Sequence, residues 1–158
     1  RTGNKFLAGL TLVLDILKGY IPVIIAEQYF PGLIQLSCLL AFLGHVFPVW
    51  LKFKGGKGVA TYLGILLALS IQLGLLFIFT WLAVSLIFRY SSLSSMFSSL
   101  TVFVVTLLKD TALQSIASNT YVEEEIKLIL FIFFILIMFT HRKNISNLIN
   151  KTEHKIKI

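Results

Sequence analysis

The 158 residues include 57% hydrophobic and only 13% charged side chains, with a mean hydropathy of +0.90. These proportions exclude an ordinary soluble domain and predict an integral membrane protein. The formal net charge is +7, but no basic stripe with interleaved aromatic residues lies outside the apolar segments, which argues against nucleic acid as a partner. The lone Cys38 lies in an apolar run and supports neither a disulfide nor a cysteine metal site.

The apolar segments predict an all-α, polytopic membrane helical bundle with six transmembrane helices, in one domain over residues 1–158. The segment at 59–88 exceeds the roughly 20 residues of one crossing. Its weak points at Ser70 and Gln72 therefore predict two helices, the first of them short. The predicted helices occupy residues 6–26, 33–47, 59–88 (two helices), 93–108 and 126–140.

The first predicted helix carries Asp15 and Lys18 within its apolar sequence. Their i, i+3 spacing puts them on one face, where they can pair. Ionisable residues at membrane depth are functional candidates, and a mutually neutralising pair that holds two helices together is the structural alternative.

Residues 52–58, here called the glycine-lysine loop, lie between the second and third helices and contain three lysines and three glycines. Glycines allow φ > 0 and let N–H groups crowd toward an anion, so the loop predicts a phosphate cradle at a membrane edge. It is not a Walker A motif, because Leu51 stands five residues before Gly56 and Gly58 follows Lys57. The alternative is a flexible loop whose lysines only follow the positive-inside rule.

Polar groups near this loop favour one shared site. His45 lies just before Pro48, close to the mouth of the cradle, as either a ligand contact or a structural residue. Arg89 and Ser92 mark another polar edge, and most Lys and Arg residues outside the apolar segments fall on the same side. The positive-inside rule then predicts that this side is cytoplasmic.

Several ordered motifs together resemble the PlsY family, bacterial acyltransferases that use acyl phosphate as the donor. They are RTGNK at 1–5, LDILKG at 14–19, GH at 44–45, KFKGGKGVAT at 52–61, RYSSL at 89–93 and HRKNI at 141–145. The resemblance implies acyl transfer from acyl phosphate to the 1-hydroxyl of glycerol 3-phosphate, giving lysophosphatidic acid and phosphate for phospholipid biosynthesis. It also implies no cofactor or metal, a lipid environment, and a multi-pass location in the bacterial cytoplasmic (inner) membrane with the site and C-terminus facing the cytoplasm.

The resemblance also assigns roles to individual residues. Substrate phosphate is expected at Arg1, Lys52, Lys54, Gly55, Gly56, Lys57, Gly58 and Thr61. Catalytic roles are expected for Asp15, His141, Asn144 and Glu153, with the tail folding back over the site, and secondary roles for Lys18, His45, Arg89 and Ser92. A general base could be His141, Asp15 or a substrate phosphate oxygen. The phosphate oxygen is preferred, since no His–carboxylate pair occurs at short spacing.

The sequence departs from the family pattern in three ways. A Ser, a Gly and a seventh helix are expected before Arg1, and without them the chain is expected to be inactive. Lys151 stands where the family usually has a glycine, two residues before Glu153, and Asn147 replaces a basic residue. If position 151 needs φ > 0, lysine there costs about 1 kcal/mol.

Two other function classes fit the composition less well. An anion or phosphate-ester transporter could use a buried Asp–Lys pair, but its polar groups should gather at the midplane, and no inverted repeat is visible. A structural subunit without a ligand predicts that Lys57→Ala changes only stability or partner binding.

Overall fold

The computed structural model describes residues 4–112 and 123–156, and every regular element among them is helical. The α-helices are α1 (Lys5–Tyr29), α2 (Ile34–Val46), α3 (Val59–Leu69), α4 (Ile71–Phe88), α5 (Ser91–Ala112), α6 (Glu123–Thr140) and α7 (Arg142–Ile149). Short 3-10 turns, Pro31–Leu33 and Val49–Leu51, flank α2. The predicted all-α class is confirmed.

Each of the six predicted membrane segments contains a helix. Within residues 4–112 and 123–156, four stretches are long and apolar enough to cross a membrane: Lys5–Tyr29, Pro31–Leu51, Ile71–Phe88 and Ser91–Leu108. The apolar part of α6 passes this test only together with α7, from which it is bent by 59°. With 11 residues α3 is the short helix that the sequence predicted, and it ends at Ser70 as expected.

Several predicted boundaries differ from the structure. α5 runs through Ala112 instead of ending at Leu108, and α6 begins at Glu123 instead of Ile126. α1 runs on through Tyr29 instead of turning at Glu27, because its first obstacle is Pro31, which forces Phe30 out of the helical region (φ −142, ψ 60). The predicted basic tail contains α7. α7 is amphipathic, with Ile145, Leu148 and Ile149 at helical spacing, but its eight residues are fewer than the window of about 11 in which such periodicity is normally recognised.

The described residues pack as two compact units, Arg1–Leu75 and Leu76–Ile158, each described by itself. The single domain expected over residues 1–158 stays a prediction.

In the first unit, α1 and α3 touch backbone to backbone. A Cβ on Gly19 would overlap the carbonyl of Thr61, and a Cβ on Gly64 would overlap the carbonyl of Ile16. Small residues permit such close helix crossings in membranes, where packing replaces the hydrophobic effect as the driving force. The crossing fixes the helix that carries Asp15 against the helix that follows the glycine-lysine loop.

In the second unit, α5 packs against α6 and carries buried serines at positions 92, 94, 95, 98 and 99. The Ser94 and Ser98 hydroxyls donate to the carbonyls of Tyr90 and Ser94, at 2.8 and 2.7 Å. Such bonds satisfy a hydroxyl within its own helix. Trp81 on α4 donates its Nε1–H to Ser95 Oγ at 3.1 Å, which ties α4 to α5.

Candidate functional site

The glycine-lysine loop folds back along the C-terminal end of α2. Proline at 48 ends that helix, and the Pro48 carbonyl accepts from the N–H groups of Leu51 and Phe53 at 3.1 and 3.0 Å. The chain then reverses through left-handed Lys52 (φ 51) and Phe53 (φ 61). The exposed lysines of the loop extend from this turn.

Each of the three glycines in the loop is required for a different steric reason. A Cβ on Gly55 would overlap the carbonyls of His45 and Val46, and a Cβ on Gly56 would overlap the His45 imidazole. Gly58 alone of the three has a positive φ, of 82°, and a side chain there would also meet the ring of Phe42. Close packing, more than backbone conformation, requires glycine at 55 and 56.

The main-chain donors of the loop are not arranged as the sequence suggested. The N–H of Gly55 donates to the Val46 carbonyl at 3.2 Å, and the N–H of Gly56 donates to the His45 carbonyl at a longer 3.4 Å. Both donors hold the loop against α2, whereas an anion cradle would need them to face a ligand. The positive charge at this place therefore comes from the lysine side chains.

A cavity of about 400 Å³ lies between α1, α2 and the loop. Its lining combines four ionisable side chains with apolar ones: Asp15, Lys18, His45, Lys54, Leu40, Ala41, Gly44, Pro48, Trp50, Leu51, Gly55 and Gly56. Six residues predicted for the site thus meet at one cavity, although they come from three segments of the chain. Such a lining suits a ligand with an anionic head and an apolar body.

The predicted pairing of Asp15 with Lys18 is confirmed, since Lys18 Nζ donates to Asp15 Oδ1 at 2.9 Å. The same carboxylate oxygen lies 3.6 Å from His45 Nδ1. Sequence analysis missed this second contact and found no His–carboxylate pair, because the two residues lie on different helices. Asp15 and His45 are 19% and 14% exposed, whereas Lys18 is 60% exposed.

Other residues predicted to bind phosphate lie outside the cavity lining. The Lys52 and Lys57 side chains are exposed on the loop. Thr61 is fully buried against Gly19, and its Oγ1 has no hydrogen-bond partner among the described residues. Arg1 lies outside the described residues.

In the second unit, Glu153 gathers donors from two segments. Ser92 Oγ and Asn144 Nδ2 each donate to Glu153 Oε1 at 2.7 Å, and Asn147 Nδ2 donates to Oε2 at 3.3 Å. These contacts bring Ser92 of the RYSSL motif together with Asn144 and Glu153 of the C-terminal segment. The tail therefore folds back onto the start of α5.

Two further contacts fix the tail and the preceding turn. The Ile156 N–H donates to the Arg89 carbonyl at 2.7 Å, and Arg89 Nε–H donates to the Ile156 carbonyl at 3.3 Å. Lys151 has a φ of 58°, so position 151 does require the left-handed conformation that glycine adopts most easily. The Thr152 N–H donates to the Asn147 carbonyl at 2.8 Å, which closes the end of α7.

His141 lies at the junction of α6 and α7, and only 1% of it is exposed. Its Nδ1 lies 2.8 Å from the Ile137 carbonyl, so Nδ1 carries the proton that it donates there. In the neutral ring this tautomer makes Nε2 the acceptor atom.

Comparison with known proteins identifies the family of the chain. A family profile described as glycerol-3-phosphate acyltransferase matches residues 1–151. The glycerol-3-phosphate acyltransferase of Pelagibacter ubique is 48% identical over 158 residues, which are 100% of this chain and 76% of that protein. The enzyme of the same name from Wolbachia pipientis subsp. Culex pipiens is 49% identical over 158 residues, covering 98% of this chain and 76% of that protein.

Solved structures extend the likeness to the fold. Crystal structures of PlsY, an integral membrane glycerol 3-phosphate acyltransferase, match with a TM-score of 0.84 and 33% identity in both its lysophosphatidic acid and glycerol 3-phosphate forms. The match covers 97% of this chain and 74% and 72% of those two chains. The transporter alternative finds no support in these comparisons. In sequence and in fold, the chain belongs to the glycerol-3-phosphate acyltransferase family of integral membrane proteins.

Proposed function

We propose that this chain transfers a fatty acyl group from acyl phosphate to the 1-hydroxyl of glycerol 3-phosphate, which yields lysophosphatidic acid and inorganic phosphate. The observation that carries this proposal is the cavity beside the glycine-lysine loop. There the cationic Lys18 and Lys54 adjoin apolar Leu40, Ala41 and Leu51. Acyl phosphate has the same division between an anionic head and an apolar chain.

The reaction requires little from the protein beyond positioning the two substrates. The substrate hydroxyl attacks the acyl carbonyl carbon, the bond from that carbon to the phosphate oxygen breaks, and phosphate leaves. An oxygen of the departing phosphate accepts the hydroxyl proton, so no side chain needs to act as base. Holding two anions in a reactive geometry and stabilising the developing charge then account for the rate, and neither metal nor cofactor is required.

The loop lysines supply the positive charge. Lys52, Lys54 and Lys57 are exposed on one short turn, which lets their flexible side chains reach phosphate groups on either substrate. We assign the substrate phosphates to these lysines, with Arg1, Gly58 and Thr61 as further contacts expected from the family motifs. Gly55 and Gly56 serve this assignment indirectly, because they let the loop pack closely on α2.

In the second unit, Glu153 holds a separate group of polar side chains. Because its carboxylate already accepts bonds from three side chains, Glu153 suits orienting Asn144 better than removing a proton. Asn144 donates through Nδ2, which leaves its Oδ1 to accept a bond from the substrate hydroxyl. His141 is nearly fully buried, and the bond from its Nδ1 to the Ile137 carbonyl fixes the orientation of its ring.

The proposed setting is the bacterial cytoplasmic membrane. The glycine-lysine loop, Arg89 and the basic tail would face the cytoplasm, where anionic substrates are made and where the positive-inside rule places lysine and arginine. Glycerol 3-phosphate would arrive from water, and acyl phosphate and product would share the lipid phase.

The test is a reconstituted assay with acyl phosphate and labelled glycerol 3-phosphate, in which phosphate and lysophosphatidic acid are both quantified. We expect equal amounts of the two products, and a loss of at least about tenfold in Lys57→Ala, consistent with one lost charged contact. Lys5→Ala, a matched lysine at the exposed start of α1, serves as the control. Phosphate release without the lipid product, or labelled substrate that crosses sealed vesicles unchanged, would overturn the proposal.

A further inference from the structure

A chain of contacts runs from α1 through α2 to the glycine-lysine loop. It begins at Asp15 Oδ1, which lies 3.6 Å from His45 Nδ1. The opposite edge of the ring, at Nε2, occupies the place that a Cβ on Gly56 would take. The backbone of His45 repeats the link, because its carbonyl accepts the Gly56 N–H at 3.4 Å.

We infer that Asp15 is a positioning residue that acts through His45 on the glycine-lysine loop. This inference rests on the proposed function, since it concerns how the loop lysines are placed. The carboxylate lies 3.6 Å from Nδ1 and limits how the ring can turn, and the ring sets how closely Gly56 can approach α2. Asp15 thereby determines where Lys54 and Lys57, the neighbours of the two packed glycines, present their charges.

The exposed fractions of the three side chains support a positioning role for Asp15 and His45 and a different role for Lys18. Asp15 and His45 are 19% and 14% exposed, so their mutual orientation is set mainly by the protein. Lys18 is 60% exposed and pairs with the same carboxylate oxygen at 2.9 Å. That pairing offsets the cost of placing a carboxylate within an apolar helix and leaves Lys18 reaching the cavity.

The geometry distinguishes this role from two others. A general base takes the proton of the substrate hydroxyl on a carboxylate oxygen, whereas Asp15 Oδ1 contacts two protein side chains, Lys18 and His45, as a positioning role requires. A pair that only joins helices would leave the loop unaffected when it is removed. A positioning role predicts instead that the loop loosens first and that substrate affinity falls with it.

The first measurement does not depend on activity. The N–H groups of Gly55 and Gly56 are bonded to the Val46 and His45 carbonyls, so their hydrogen exchange reports how firmly the loop is held. Asp15→Asn should speed exchange in the loop peptide by about tenfold, an interaction energy within the usual range for contacting residues. Glu27→Gln makes the same chemical change at an exposed position of α1 and should leave exchange unaltered.

A double-mutant cycle then tests whether Asp15 works through His45. His45→Asn removes the ring edge against Gly56, and once it is gone Asp15→Asn should add little to the rate of exchange or to KM. Each single variant should raise KM for the phosphate substrates more than it lowers kcat. Gly56→Ala pushes on the ring from the other side and should loosen the loop although Asp15 is intact, which keeps the test valid if Asp15→Asn folds poorly.

Two results would overturn the inference. One is loss of turnover in Asp15→Asn with loop exchange unchanged, which would make Asp15 a base or a substrate contact. The other is full additivity of Asp15→Asn and His45→Asn in the exchange rate. If the unaltered chain forms no lysophosphatidic acid, the proposed function fails by itself, and the exchange experiment still decides whether Asp15 holds the loop.

Discussion

The hydroxyl of Ser92 donates a hydrogen bond of 2.7 Å to Oε1 of Glu153, and so joins the first turn of α5 to the C-terminal tail. Asn144 reaches the same oxygen at the same distance. The carboxylate is therefore a junction between two segments far apart in sequence. Substitutions at this junction measure how much these hydrogen bonds contribute to the stability of the fold.

Glu153→Ala should lower the free energy of unfolding by about 2 kcal/mol, because bonds to a charged acceptor are lost and the Ser92 and Asn144 donors remain. Reversible unfolding in mixed micelles measures this. The control is Asn150→Ala, which removes only an exposed bond of 3.4 Å to Ser146 Oγ. Equal losses of unfolding free energy in the two variants would contradict the stabilising role of Glu153.

Lys151→Gly should raise stability by up to about 1 kcal/mol, since glycine accepts the left-handed conformation (φ 58) without the Cβ clash of lysine. The matched control is Lys143→Gly within α7, where the same change should cost about 1 kcal/mol through lost helix propensity. Thermal unfolding of both variants checks the opposite signs. A loss of stability in both would show that the conformation at 151 carries no strain.

Gly19→Ala and Gly64→Ala should each cost about 1–3 kcal/mol, because an added methyl would press on the backbone of the facing helix. Gly9→Ala, on the same helix as Gly19, has open space around it and should be neutral or stabilising. Unfolding free energies of the three variants test the crossing. Comparable losses at positions 9 and 19 would mean that α1 is sensitive to any added methyl group.

Thr61→Val should keep or raise stability by up to about 1 kcal/mol, since it removes a buried hydroxyl with no hydrogen-bond partner among the described residues. Thr61→Ser retains the hydroxyl, removes a buried methyl and should be the less stable variant. Kinetics on the same proteins test the phosphate contact expected from the family motif. A raised KM in Thr61→Val with unchanged KM in Thr61→Ser would support that contact.

Sequence reasoning succeeded where a strong local signal exists. Long apolar runs predicted the helices, and Ser70 with Gln72 correctly divided the longest run into α3 and α4. The Asp15–Lys18 pair followed from helical spacing alone. A glycine requirement at 151 could be stated from the family pattern, and the structure supplies its cause in a positive φ.

Contacts between elements were beyond such reasoning. The sequence predicted that Gly56 is needed for its conformational freedom. In the structure Gly56 is needed because it packs against the ring of His45, which only folding brings close. The approach of His45 to Asp15 and the bond from Asn147 to Glu153 likewise depend on how segments pack. Local sequence records neither of these distances.

The shortness of α3 has a consequence for depth in the membrane. Eleven residues rise about 16 Å, roughly half of the ~30 Å hydrocarbon core. With the glycine-lysine loop at the cytoplasmic surface, as proposed, Ser70 would lie near mid-bilayer. Its hydroxyl donates to Gln72 Oε1 at 2.6 Å. Acyl phosphate, with its phosphate at the level of the lipid headgroups, would then reach the loop lysines by lateral diffusion in the membrane, without entering water.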